Sequence, residues 1–166
     1  MKALTLIISL AFSVTSFSQT ATEFYNRGVG KRNLGDHRGA IADFTKAIEL
    51  DPKDAEAYLN RGVSKSKLED YLGAIADFNI AIELEPMDEM GYYNRGHTKS
   101  KLGDHRGAIA DYNIAIDLNP KYASAYLNRG ILKFIINQKN SGCLDLSKAG
   151  ELGKDEAYDL IKKFCQ

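Results

Sequence analysis

Apolar and small residues recur along this chain at spacings of three and four. After Ala21 they fall at Phe24, Gly28 and Leu34, then again at Ile41, Phe44 and Ile48, which lines one face of an α-helix and then one face of another. Gly35-Asp36 separates the two runs, Gly ending the first helix and Asp36 capping the second. Gly103-Asp104 does the same further on, with Glu69-Asp70 at the equivalent place between them. Asp54 and Asp88 precede later helical runs, and Thr20 with Glu23 forms a capping box ahead of the first. Pro52, Pro86 and Pro120 follow alternate helices and stop them. The pattern predicts an all-α chain of paired helices.

The pairs are copies of one another. Residues 21–54, 55–88, 89–122 and 123–156 align without a gap, a period of 34. The fourth column reads Phe24, Tyr58, Tyr92 and Tyr126. The triplets Asn26-Arg27-Gly28, Asn60-Arg61-Gly62, Asn94-Arg95-Gly96 and Asn128-Arg129-Gly130 recur in register. Later columns give Ala40, Ala74, Ala108 and Gly142, then Phe44, Phe78, Tyr112 and Leu146. The small residues at Gly28, Gly62, Gly96 and Gly130 let the partner helix approach, and the aromatic fills the space between.

This pattern resembles the tetratricopeptide repeat family over residues 21–156, with an N-terminus suggesting an exported bacterial member. The resemblance implies a right-handed α-solenoid of helix-turn-helix repeats. Two columns depart from the family: Arg stands at the seventh position in place of Leu, and Lys31, Lys65, Lys99 and Lys133 take the aromatic's place at the eleventh. The fourth unit is degenerate, with Asn137 at the turn Gly, Leu146 at the aromatic and Lys154 at the Pro, as befits an end unit that caps the stack. Residues 157–166 are expected to add a capping helix with Ala157, Leu160, Ile161 and Phe164 on one face.

Before the repeats stand Met1, Lys2, an apolar run from Ala3 to Val14, and small polar residues to Gln19. That is the layout of a signal peptide, residues 1–18, and the run is shorter than the roughly 20 apolar residues of a membrane span. The expectation is cleavage before Gln19 and a periplasmic or secreted protein without stable membrane insertion; the alternative is a retained N-terminal helix. An oxidising compartment favours pairing of the two cysteines. Cys143 occupies the column of Ile41, Ile75 and Ile109; it precedes the turn at Gly153 by ten residues, and Cys165 follows Asp155 by ten. Equal helical rises in a hairpin therefore bring both thiols to one end. A disulfide pinning the terminal helix is expected, against the alternative of two buried thiols.

The charge balance, 22 basic against 22 acidic residues, leaves no global field for phosphate backbones, so nucleic acid is not an expected partner. No catalytic constellation, phosphate loop or paired-Cys metal motif stands out, and neither an enzymatic activity nor a cofactor or metal is expected. His37 and His105 read as solvated turn residues. The recurrent Arg and the Asp sixteen residues on, at 43, 77, 111 and 145, read as an ion pair inside each unit.

The resemblance also implies a concave groove lined by the first helix of each unit. Its sixth column holds Asn26, Asn60, Asn94 and Asn128, its fifth Tyr25, Leu59, Tyr93 and Leu127, and its ninth includes His97 and Ile131. A carboxamide pairs with a peptide N–H and C=O without selecting side chains, and such a ladder resembles the one that holds extended peptides in the glycosyltransferase arrays. The alternative is that Asn bonds the neighbouring helix. The family's carboxylate clamp for chaperone tails is not matched: Tyr25, Val29, Met90 and Asn94 stand where it needs Lys, Asn, Lys and Arg. The expected function is a scaffold that binds an extended peptide, with an apolar ligand side chain anchored towards Ile131 and Phe134. Its rival is a module that self-associates or docks helix on helix through its C-terminal end.

Overall fold

The computed structural model of the chain describes residues 20–165, so the leader and the expected cut before Gln19 lie outside the described residues. Within them stand nine helices and no strand: α1 (Ala21–Asn33), α2 (His37–Leu50), α3 (Ala55–Lys67), α4 (Tyr71–Leu84), α5 (Glu89–Lys101), α6 (His105–Leu118), α7 (Ala123–Ile135), α8 (Lys139–Glu151) and α9 (Glu156–Phe164). Consecutive helices pack as pairs, α1 on α2 through α7 on α8. Each pair packs on the next, and α9 closes the stack against α8. The result is an α-solenoid whose contacts are nearly all between neighbours.

Local chemistry sets the boundaries. Thr20 and Glu23 bond each other's backbone N–H in a capping box. Asp36, Asp70 and Asp104 accept from the N–H of Gly39, Gly73 and Gly107, and Asp54 and Asp88 cap α3 and α5. The degenerate fourth unit loses this device, for α7 and α8 have no side-chain cap. Gly35 and Gly103 turn the chain at φ +81°, the left-handed region, while Glu69 and Asn137 hold the equivalent turns at +64° and +63° against the penalty of a side chain.

Phe44, Phe78, Tyr112 and Leu146 are fully buried between the helices of their units. The approach is close: a Cβ on Gly62 would stand 2.6 Å from Phe78 Cε1. Each unit also buries an Asp, and here the structure adds to the expected pair. Asp77 accepts from Arg61 Nε at 2.9 Å and Nη2 at 2.7 Å, and Lys65 Nζ lies 2.8 Å from its Oδ2. The same three-residue cluster recurs as Arg27-Lys31-Asp43, Arg95-Lys99-Asp111 and Arg129-Lys133-Asp145. The two departures from the family pattern are thus one substitution, two cations on one helical face converging on one carboxylate. Arg61, Arg95 and Arg129 further donate to Thr45, Asn79 and Asn113 on the preceding unit, stitching repeat to repeat. Each Arg also lies over the ring of its fourth-column aromatic, 4.9 Å away at Phe24 and 5.4 to 5.6 Å at the tyrosines.

At the C-terminal end Ala157, Leu160 and Ile161 pack on Leu127, Leu146 and Ala149, and Phe164 meets Phe134 at a ring separation of 5.5 Å. The Cys143 and Cys165 sulfurs are at disulfide distance, 2.12 Å, across this junction.

Candidate peptide-binding groove

The first helices of the units, α1, α3, α5 and α7, touch one another along one side of the stack, and their sixth-column Asn side chains stand in a row there. The structure gives the four carboxamides different employment. Asn60 is fully engaged: its Nδ2 donates to Tyr25 Oη at 3.1 Å and to the Glu56 carbonyl at 2.8 Å, and its Oδ1 accepts from Arg32. Tyr25 donates in turn to Glu56 at 2.7 Å. Burial, this bond to a carboxylate and the carboxylate's charge push the phenol up to about 12. Asn128 donates to Tyr93 Oη at 3.1 Å in the same way, and the Tyr93 phenol is raised chiefly by burial. For Asn60 and Asn128 the alternative reading, a bond to the neighbouring helix, therefore describes the geometry.

Asn94 differs because the fifth column alternates. Tyr25 and Tyr93 reach forward to the Asn of the following unit, whereas Leu59 has no polar atom to offer. Asn94 Nδ2 turns back to the Met90 carbonyl at 2.8 Å. Asn26, in the first unit, is exposed. Leu59 and Leu127, expected to flank a ligand, are 8% exposed and belong to the core with Phe78 and Leu146. His97 is half-buried and Ile131 exposed.

The junction of α3 and α5 has no Tyr–Asn bond and is joined instead by the Ser66 and Thr98 hydroxyls at 3.2 Å; beside them a cleft of about 490 Å³ opens, walled by Val63, Ser66, Lys67, Tyr93, Asn94, His97 and Lys101 among others. Burial holds the His97 imidazole below its ordinary value, and the charges of Lys101 and Lys67 lower it further. Towards the first unit lies a second cleft of about 740 Å³, where Glu56, Glu85, Asp88 and Glu89 face a single Arg32. A third, of about 340 Å³, is apolar and sits between α7 and the cap, walled by Ile131, Phe134, Ile135, Leu146, Leu160 and Phe164. The charged clefts were not read from the sequence, since the residues forming them come from different units and include the α4–α5 connection.

His37 and His105 correct the expectation of solvated turns. They are the first residues of α2 and α6, half-buried, each with Nδ1 buried and without a hydrogen-bond partner. Among the described residues no group of three His, Cys, Asp or Glu is placed to hold a metal ion, and no helix is long and apolar enough to cross a membrane.

Fold and groove together define an α-solenoid of helix-turn-helix repeats, the architecture used for protein–protein interaction. A family model described as TPR repeat matches residues 31–69 and 100–134, and another described as Tetratricopeptide repeat matches 55–87. The two span more than half of the 166 residues, and the chain belongs to the tetratricopeptide repeat family. A comparison with curated proteins finds no match. Among solved structures, a crystal structure of MamA has a TM-score of 0.80 at 23% identity, covering 89% of this chain and 86% of that one. MamA 41-end from Desulfovibrio magneticus RS-1 gives 0.75 at 22% identity, covering 81% and 76%. The first TPR of Spaghetti (RPAP3), solved bound to the HSP90 peptide SRMEEVD, gives 0.70 at 23% identity, covering 75% and 98%. At these identities the likeness is one of fold.

Proposed function

We propose that this chain is an exported, non-catalytic scaffold that takes an extended segment of a protein partner on its concave face. The observation that carries the reading is the cleft between α3 and α5, where Asn94 and His97 face open space while Asn60 and Asn128 are held by their neighbours. An open carboxamide in a groove between helices can pair with the backbone N–H and C=O of an extended chain that lies across it. Export is supported by the apolar leader and by two sulfurs set at bonding distance.

The test uses a partner captured from the native envelope. Asn94→Ala with His97→Ala should weaken its binding at least tenfold while circular dichroism and melting stay close to those of the parent. Binding that survives this change and falls when the outer, second-helix surface is mutated assigns the partner to that other face. A second reading, self-association, is favoured by the apolar C-terminal end, where Ile135, Leu144 and Tyr158 are 54%, 71% and 54% exposed. Light scattering across a concentration series decides it, a constant monomer mass removing it.

A further inference from the structure

We infer that the partner segment is acidic and carries a bulky apolar side chain about six residues from its carboxylates, the carboxylates seated between Lys67 and Lys101 and the apolar group in the pocket under α9. This specifies the occupant of the groove and rests on the groove reading above.

Lys67 and Lys101 are the last residues of α3 and α5, both exposed, on one edge of the same cleft. The structure gives neither ammonium a carboxylate within ion-pair distance among the described residues, whereas the eleventh-column lysines each have one. Both lysines wall the same cleft as His97, whose imidazole is held below its ordinary value first by burial and then by their charges. Glu69 is the cleft's one acidic wall residue. Asn94 adds a neutral hydrogen-bonding group, while the Ser66 and Thr98 hydroxyls are bonded to each other at 3.2 Å. The second cleft, towards the first unit, gathers four carboxylates and disfavours an acidic segment there. These cations are not those of the chaperone-tail clamp, whose places are taken here by Tyr25, Val29, Met90 and Asn94.

Beyond the fourth unit the apolar pocket of about 340 Å³ has room for one large side chain. A cation stands beside it as well, Lys163 Nζ lying 5.1 Å from the centroid of the Phe164 ring that forms part of the wall. From the α3–α5 cleft to the α7–α9 pocket is two helix-to-helix steps, roughly 20 Å at about 10 Å each. An extended chain covers that in about six residues at roughly 3.3 Å per residue. The charge pattern and this spacing together define the occupant.

A random dodecapeptide library displayed on phage and selected on the full chain tests the inference. Enriched peptides should carry Asp or Glu with Leu, Ile, Met or Phe about six positions away. A fluorescein-labelled enriched peptide should lose at least tenfold in affinity on Lys67→Gln with Lys101→Gln, and at least tenfold on Ile135→Asp, with helicity unchanged. Changing the peptide's carboxylates to amides should abolish the difference between parent and lysine variant, because the two changes remove the same contact. Enrichment without acidic residues, amide peptides that still discriminate the lysine variant, or no enrichment overturns the inference. If the inference fails while Asn94→Ala with His97→Ala still releases the captured partner, the groove stands and only this occupant falls.

Discussion

Replacing Asp77 by Ala should cost about 3 to 5 kcal/mol of stability, the range for a buried ion pair that loses one partner. The carboxylate is 3% exposed, and Arg61 and Lys65, the cations left behind, are 15% and 20% exposed. Three charge-assisted bonds disappear, each contributing about 1.5 to 3 kcal/mol, and only partial rehydration of the two cations offsets them. Asp111→Ala should match it, since Arg95 and Lys99 are 18% and 24% exposed. Asp43→Ala should cost clearly less, because water already reaches Arg27 at 45% and Lys31 at 35%. Replacing the whole cluster by Arg61→Leu, Lys65→Tyr and Asp77→Ala should recover most of the loss, since it restores apolar columns and leaves no buried charge. Urea unfolding followed by far-ultraviolet circular dichroism measures all four. Equal losses for Asp77→Ala and Asp43→Ala, or a loss below about 1 kcal/mol for Asp77→Ala, would refute the reasoning.

Quantitative thiol labelling of the unreduced, denatured protein should find no free thiol, and two free thiols would reject the disulfide. With the bond formed, Cys143→Ser should cost about 3 kcal/mol, the loop-closure value for a ring of this size, and make Lys162 and Lys163 the first sites of tryptic cleavage. Glu69→Gly should raise the melting temperature, removing a left-handed penalty of about 1 to 2 kcal/mol at φ +64°; an unchanged or lower value counts against it. Asp43 is held below its ordinary value chiefly by its hydrogen bond from Arg27. Its contribution is therefore present above the unfolded carboxyl's pKa of about 3.9 and fades as pH falls through the lower folded value. Asp43→Asn should flatten that acid limb of stability against pH, and an unaltered slope would show that other carboxylates set it.

Much of the fold follows from periodicity alone. A period of 34 with Gly at the close approach, an aromatic sixteen residues later and Asp at the caps specifies helix pairs, because each unit's contacts are short in sequence and repeat without change. The Arg–Asp pair and the cysteine junction were legible for the same reason, both spanning a single turn. The lysine of each cluster was missed although Arg61 and Lys65 are one helical turn apart, where recurrent cations at i and i+4 signal a shared carboxylate. What the sequence could not decide is which Asn remains open. That depends on a Tyr hydroxyl from the preceding unit arriving within 3.1 Å of Asn60 or Asn128, and on Leu59 leaving the next junction without such a bond. Nor could it bring Lys67, His97 and Lys101 to one cleft, or set Leu160 and Phe164 opposite Ile131. Periodicity specifies each repeat; the spacing between repeats, set by how the buried side chains pack, decides which of their groups meet across the groove.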